Sequence, residues 1–105
     1  MGYQGGFLTQ NLSALTLGSE TLTPTFDEDV TEYTANVTDA STSLTATAET
    51  TGATVEVFLN GTSKGTGTTT VTKSLTWTAN TDIVTIVVDY GHSTKTYKIT
   101  VTHST

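Results

Sequence analysis

Three consecutive acidic residues, Asp27, Glu28 and Asp29, are the first group in this sequence that could do chemistry. Neighbouring carboxylates could bind Ca²⁺, which takes about six to eight oxygen ligands, or could act as a catalytic acid and base. On an extended chain, successive side chains point in opposite directions, so these three cannot converge on one ion. We therefore predict no metal site. Asp27 is expected to begin a turn by accepting backbone N–H groups two or three residues further on.

A histidine-centred active site could use only His92 or His103. Asp89 and Ser93 are close to His92, which supplies the residue types of a Ser-His-Asp triad, but the same types make up ordinary polar turns. There is no nucleophile elbow, no H-E-x-x-H motif, no phosphate-binding loop and no Cys. The sequence therefore predicts no catalytic residue, no cofactor and no enzymatic activity.

The charge balance excludes several classes of partner. The chain has a net charge of −6, with ten acidic residues, four scattered Lys and no Arg. Such a composition cannot build the basic face that nucleic acids or anionic membranes require. No apolar run approaches the length of a transmembrane helix, so membrane insertion is not expected.

The composition and periodicity indicate β-structure. Thr accounts for 29 of the 105 residues, and its β-branched side chain favours strands over helices. Period-2 alternation recurs along the chain, and turn residues separate the alternating segments. We predict an all-β chain of about seven strands that packs as an antiparallel sandwich.

Several local expectations follow from the same pattern. Asn60-Gly61 predicts a type I′ hairpin turn, whereas Gly65 and Gly67 are expected in a polar loop. The apolar run at residues 83–88 predicts a central strand buried on both faces. Pro24 cannot donate a ladder hydrogen bond, so residues 22–26 are expected to form an edge segment or a crossing between sheets.

Aromatic side chains are the candidates for ligand binding, because exposed aromatics on β-sandwiches often stack on sugars. Trp77 alternates with Leu75 and is expected in the core. Tyr90, near a hairpin tip, and Phe58, which alternates with Val57 and Leu59, are the better candidates for exposed ligand-binding residues.

Four motifs together resemble one domain family. They are LSALTL at 12–17, LTPTFD at 22–27, TEYTANV at 31–37 and TKTYKITV at 94–101. The sequence resembles the cadherin-like β-sandwich repeats of bacterial surface proteins and phage structural proteins. The resemblance implies an immunoglobulin-like sandwich over residues 11–105, preceded by a flexible segment or linker remnant at residues 1–10. The residues that carry the fold signature are Leu15, Leu17, Phe26, Asp27, Tyr33, Val37, Trp77, Tyr97, Ile99 and Val101.

The resemblance also implies a class of function. It points to a non-catalytic spacer, decoration or attachment module on a phage virion or a bacterial cell surface, with the neighbouring domains of a longer protein as partners. Host-surface or cell-wall glycans are further possible partners, and the alternative function is a carbohydrate-binding module. The calcium-binding linker motif of true cadherins is absent from the sequence.

A covalent Lys–Asn bond, assisted by Glu or Asp, forms in some surface sandwich domains. Lys98 follows Tyr97 in an alternating segment, so its side chain should point to solvent, away from the face of Tyr97. No such bond is expected at Lys98.

Overall fold

The computed structural model describes residues 11–91 and 93–103, and within them the chain forms eight strands and no helix. The predicted flexible segment at residues 1–10 and the side chain of His92 lie outside the described residues. No helix that could cross a membrane occurs in the described part. The strands are β1 (Leu12–Leu17), β2 (Glu32–Val37), β3 (Ser41–Ala48), β4 (Thr54–Leu59), β5 (Thr62–Thr68), β6 (Thr70–Thr76), β7 (Thr81–Tyr90) and β8 (Ser93–His103).

The strands form two sheets that pack as a sandwich. One sheet has the order β1-β3-β6 and the other has the order β2-β8-β7-β4-β5. All neighbouring strands are antiparallel except β2 and β8, which run parallel. This architecture confirms the prediction of an all-β, immunoglobulin-like sandwich, with eight strands in place of about seven.

The core follows from the alternation along each strand, because every second side chain faces the opposite sheet. Tyr33, Ala35 and Val37 of β2 are buried, as are Tyr97, Ile99 and Val101 of β8. Leu15, Leu17 and Trp77 are also buried, whereas Phe26 packs half-buried against the core and Asp27 is exposed. Trp77 therefore lies in the core, as its alternation with Leu75 predicted.

The prediction of a polar loop at Gly65 and Gly67 is wrong, because both residues lie in β5. Asn60 and Gly61 have φ of 53° and 87°, as a type I′ turn requires, and this turn folds β5 back along β4. A Cβ on Gly67 would collide with the Thr70 carbonyl oxygen. Glycine is needed at position 67 because the backbone of β6 approaches β5 closely there. Both glycines pair with residues of β4, so they belong to a strand and do not interrupt it.

The run at residues 83–88 lies in β7, the central strand of the five-stranded sheet, as predicted. The expectation of burial on both faces is wrong. Val84, Ile86 and Val88 are fully buried, whereas residues 83, 85 and 87 are only half-buried. The reason is that a sandwich has two layers, so the outer face of even its central strand has no sheet packed on it.

The segment around Pro24 makes only one bridge, between Thr23 and Thr34 of β2. The Thr23–Pro24 peptide bond is cis. The segment therefore crosses the edge of β2 without becoming a full strand, which agrees with the predicted edge segment or crossing.

Candidate functional site

The acidic residues 27–29 form a turn. The Asp29 N–H donates to Asp27 Oδ1 at 2.8 Å, and the Val30 N–H donates to the Asp27 carbonyl oxygen at 2.9 Å. These are the backbone contacts that the turn interpretation predicted for Asp27. Across residues 11–91 and 93–103 no group of three or more His, Cys, Asp or Glu side chains is placed to hold a metal ion.

Tyr33 fastens this turn to the sandwich. Its hydroxyl donates to the Asp27 carbonyl oxygen at 2.6 Å and accepts the Asp27 N–H at 3.0 Å. The rings of Phe26 and Tyr33 are stacked, with centroids 6.0 Å apart. Burial raises the pKa of the Tyr33 hydroxyl, although its hydrogen bond to Asp27 partly opposes that rise. Phe26 and Tyr33 therefore anchor the turn to the sandwich.

The Glu28 side chain contacts residues outside the turn. Its carboxylate oxygen Oε2 accepts a hydrogen bond from Asn11 Nδ2 at 3.2 Å. A side-chain hydrogen bond to Glu49, together with the negative charge of Glu49, raises the pKa of Glu28 above its ordinary value. A raised pKa means that Glu28 keeps a proton at higher pH than an isolated Glu.

Lys95 completes the surroundings of Glu28. Its ammonium donates to Asn11 Oδ1 at 2.6 Å and to the Glu28 carbonyl oxygen at 2.8 Å, and it lies 5.2 Å from the centre of the Tyr97 ring. Tyr97 is fully buried, and its hydroxyl donates to the same Glu28 carbonyl at 2.8 Å. We call the five residues Asn11, Glu28, Glu49, Lys95 and Tyr97 the polar clamp.

The polar clamp joins the two sheets at one end of the sandwich. The Asn11 carbonyl oxygen accepts the Glu49 N–H at 2.8 Å, just beyond the end of β3. The Leu12 N–H, at the start of β1, donates to the Tyr97 hydroxyl of β8 at 3.0 Å. Because β1 and β8 belong to different sheets, these side-chain contacts make a connection that no backbone ladder provides.

No local sequence pattern predicts the polar clamp as a whole, although the position of Lys95 relative to Tyr97 indicates that Lys95 faces inward. Lys95 is two residues before Tyr97 and therefore shares the inward face of β8 with Tyr97, Ile99 and Val101. Lys95 is half-buried, whereas Thr94 and Thr96 are exposed. A Lys in register with core residues is unusual, because Lys is rarely buried unless it is paired. Asn11 and Glu49 carried no comparable signal.

Asp82 is a second buried polar centre that the sequence analysis did not single out. Its carboxylate accepts hydrogen bonds from Asn60 Nδ2 at 2.6 Å, from the Thr78 hydroxyl at 3.0 Å and from the Thr78 N–H at 3.1 Å. Burial by itself would raise the pKa of Asp82, but the hydrogen bonds from Asn60, Thr78 and Ala79 lower it overall. Asp82 therefore holds the turn before β7 against the hairpin turn after β4.

The two candidate ligand-binding aromatics do not lie together. Phe58 pairs with Thr85 on the outer face of the five-stranded sheet, whereas Tyr90 follows the inward series of β7 and packs half-buried against the core. Thr85 and Tyr90 are five positions apart, which corresponds to about 17 Å of strand. The two rings therefore cannot form one sugar-stacking platform. Trp77 is buried and donates from Nε1 to the Thr42 hydroxyl at 3.2 Å.

An open groove of about 240 Å³ lies beside β1 and the segment that follows it. Leu15, Leu22 and Phe26 line its apolar part, and Glu20 lies at its polar part. None of the predicted ligand-binding residues lines this groove. Asp89 and Ser93, the potential partners of His92 in a triad, lie at the ends of β7 and β8 on either side of their hairpin turn.

Comparison with known proteins agrees with this geometry. A family model described as "Cadherin-like beta sandwich domain" matches residues 12–104. The comparisons with curated proteins and with solved structures return no match.

Proposed function

Because the chain belongs to the cadherin-like β-sandwich domain family, we propose that it is a spacer, decoration or attachment domain of a phage virion protein or a bacterial surface protein. Domains of this family are typically non-enzymatic structural or adhesive modules that are extracellular or surface-exposed. The partners in this proposal are the neighbouring domains of a longer protein.

The position of the two ends of the domain carries the proposal. Asn11, just before β1, contacts Lys95 near the start of β8. His103, the last residue of β8, pairs with Val37 at the far end of β2. From Lys95 to His103 the strand spans about 26 Å at a rise of about 3.3 Å per residue. The chain therefore enters at one end of the sandwich and leaves at the other, which suits a module placed in line between neighbours.

The surface supports the same role. The exposed faces of β5 and β6 are rich in Thr, and the net charge is −6. A charged, polar surface keeps a displayed domain soluble and prevents association between copies. In this proposal the domain has neither a nucleic-acid partner nor a membrane-inserted segment.

Surface labelling tests the proposed location. Antibodies raised against the purified domain should label intact cells or intact phage particles of its source, as seen by electron microscopy of immunogold-stained samples. Antibody that has been pre-absorbed with the domain is the control. Labelling that appears only after the cells or particles are broken open would contradict the proposal.

Carbohydrate recognition is the alternative within the same class of surface modules. Phe58 is a half-buried aromatic on the outer face of the five-stranded sheet, where no other layer of the described chain packs on it. Tyr90 lies near the β7–β8 hairpin turn and is half-buried. Since the two side chains are on opposite faces of the sheet, only one of them would stack on any single sugar.

A further inference from the structure

A hydrogen bond between β8 and the residue just before β1 joins an amine to a carboxamide. Lys95 Nζ lies 2.6 Å from Asn11 Oδ1, and a carbonyl bond is about 1.2 Å long, so Nζ lies within about 3.8 Å of Asn11 Cγ. This is close to the separation from which bound reactants attack, about 3–3.5 Å. We propose that Lys95 and Asn11 form an intramolecular isopeptide bond, with Glu28 as the acid that protonates the departing nitrogen.

Both sides of the Asn11 carboxamide are placed for this reaction. Oδ1 accepts a hydrogen bond from Lys95, and Nδ2 donates to Glu28 Oε2 at 3.2 Å. An amide orients its oxygen toward a cation and its nitrogen toward a carboxylate, so the two contacts define one orientation. Lys95 Nζ therefore lies beside the oxygen of the Asn11 carboxamide, and the Glu28 carboxyl group lies beside its nitrogen. The carbon between these two atoms, Cγ, is the atom that Lys95 would attack.

Glu28 is suited to act as an acid because it retains a proton more readily than an ordinary Glu. The hydrogen bond to Glu49 and the charge of Glu49 are the main causes of its raised pKa, and the charge of Asp29 acts in the same direction. A general acid works best when its pKa approaches the working pH. Glu49 acts on the reaction only through the Glu28 carboxyl group, so it is a positioning residue.

The atoms of the reaction balance without any oxidant or cofactor. Lys95 first loses one proton to water, which can reach this half-buried side chain. Its lone pair then forms the bond from Nζ to Asn11 Cγ, and the Cγ–Nδ2 bond breaks. Glu28 gives its proton to the leaving nitrogen and recovers one from Nζ, so the products are a secondary amide and ammonia.

The backbone around Asn11 is held in place before the reaction. Its carbonyl oxygen is bound by the Glu49 N–H, and the next N–H, at Leu12, is bound by the Tyr97 hydroxyl. The peptide group between Asn11 and Leu12 is therefore held by two hydrogen bonds, which limits the motion of the Asn11 side chain. Such preorganisation lowers the barrier because little freedom remains to be lost on reaching the reactive geometry.

The bond would not involve Lys98, which is exposed as the sequence predicted. Lys95 differs from Lys98 by facing inward on the same strand. Lys95 and Lys98 lie on the same strand but face opposite ways, so Lys98 is the control for Lys95.

The use of such a bond rests on the proposed function as an in-line module. A force applied at Asn11 and at His103 would pass through the isopeptide directly into β8. The chain between Asn11 and Lys95, which are 84 positions apart, would then be protected from extension, which without the bond would release about 300 Å of chain at about 3.6 Å per residue. The bond itself can be tested on the isolated domain, whatever its location in nature.

The test is the intact mass of the purified domain with its full chain. We expect a mass about 17 Da below that calculated from the sequence, through loss of one ammonia. Tandem mass spectrometry of a protease digest should find one branched peptide in which Lys95 is joined to Asn11. Wild-type protein that keeps the calculated mass after prolonged incubation would overturn the proposal.

Matched variants identify the residues involved. Lys95→Arg and Glu28→Gln should have their calculated masses, whereas Lys98→Arg should still lose about 17 Da. Succinimide formation at Asn60-Gly61 would cause the same loss, but it would persist in Lys95→Arg and would yield no branched peptide. Loss of ammonia without the branched peptide would therefore also overturn the proposal. The peptide search in wild-type protein decides the question even where a variant fails to fold.

Discussion

The Tyr33 hydroxyl is both donor and acceptor to one residue, Asp27, whose carbonyl oxygen lies 2.6 Å away and whose N–H lies 3.0 Å away. The pair closes the turn at residues 27–30 onto β2. Asp27 in turn accepts the Asp29 N–H through Oδ1. The acidic row that first suggests a metal site is therefore a turn held by a tyrosine, and the Glu28 side chain in this turn belongs to the polar clamp.

Replacement of Tyr33 by Phe should destabilise the domain by about 1–3 kcal/mol, the usual cost of leaving buried hydrogen-bonding groups without a partner. Urea denaturation followed by Trp77 fluorescence measures this change. Thr34→Val on the same strand removes a hydroxyl whose contact with Thr23 is long, at 3.5 Å and exposed. This control should change stability by less than about 0.5 kcal/mol. Equal effects of the two substitutions would contradict the role of the Tyr33 hydroxyl.

The same hydroxyl predicts alkaline sensitivity. The pKa of Tyr33 is raised in the folded protein above its ordinary value of 10.0, chiefly by burial. The unfolded chain therefore loses this proton first, so the contribution of Tyr33 is complete below pH 10 and is lost as the pH rises through the folded-state pKa. Denaturation midpoints at several values from pH 8 to above pH 10 should fall less steeply for Tyr33→Phe than for wild type.

Asp82 predicts sensitivity to acid. Its pKa is lowered below the ordinary value of 3.8 because the hydrogen bonds from Asn60, Thr78 and Ala79 outweigh the opposing effect of burial. Its contribution to stability is present above pH 3.8 and is lost as the pH falls through the folded-state pKa. Asp82→Asn should cost about 2 kcal/mol at neutral pH and should flatten the acid dependence. Asp89→Asn, an exposed residue of the same strand, is the control and should do neither.

The close approach of β6 to Gly67 of β5 predicts that a larger residue at position 67 destabilises the domain. A Cβ at this position would collide with the Thr70 carbonyl oxygen, so the backbone must move to accept Gly67→Ala. Such overpacking costs about 1–3 kcal/mol, measurable as a lower denaturation midpoint. The neighbouring exposed residue supplies the comparison, since Thr66→Ala adds no atom in this contact. A Gly67→Ala variant as stable as wild type would mean that the strands do not approach so closely.

The interaction between Glu49 and Glu28 predicts that a substitution at Glu49 changes the pKa of Glu28. Glu49→Gln removes the negative charge that contributes to the raised pKa of Glu28. The pKa of Glu28 should therefore fall, and NMR titration of its side-chain carboxyl carbon measures this. Glu56→Gln, which has Ser63 as its hydrogen-bond partner on β5, is the control. An unchanged Glu28 pKa in Glu49→Gln would show that the two carboxyl groups do not interact.

The positions of Phe58 and Tyr90 predict that any glycan binding depends on one of these two side chains and not on both. Titration with bacterial cell-wall polysaccharides, followed by Trp77 fluorescence and by direct binding of labelled domain, should show saturation if the alternative function holds. Phe58→Ala or Tyr90→Ala should abolish binding, but not both, because the side chains lie on opposite faces of the five-stranded sheet. An absence of binding at millimolar ligand would leave the domain as a passive spacer.

Much of the fold could be predicted because burial in a sandwich follows a period of two residues. The alternation of Tyr33, Ala35 and Val37 by itself places them on one face of their strand, and all three are buried. Failures occurred where the local pattern depends on a distant partner. The glycines of β5 suggested a loop because the pairing of Gly65 and Gly67 with residues of β4, which makes this segment a strand, is not visible in the residues beside them.

The polar clamp could be predicted only in part. The register of Lys95 with Tyr97 was readable in the sequence, and it placed a cation on the core face of the last strand. Its partners Asn11, Glu28 and Glu49 come from three other segments that are distant in the sequence. Which of four Lys and ten acidic residues would meet was therefore not encoded in any local pattern.

By itself the sequence determined the fold class, the inward residues of most strands, the turn at Asp27 and the family. These properties depend on alternation, turn chemistry and short motifs, which act over a few residues. Tertiary structure alone decided that Asn11 meets Lys95, that Asp82 joins two turns, and that Phe58 and Tyr90 lie apart. The physical reason is that strand order and sheet pairing bring together segments as far apart as residues 11 and 95, and such pairing depends on the packing of the whole core.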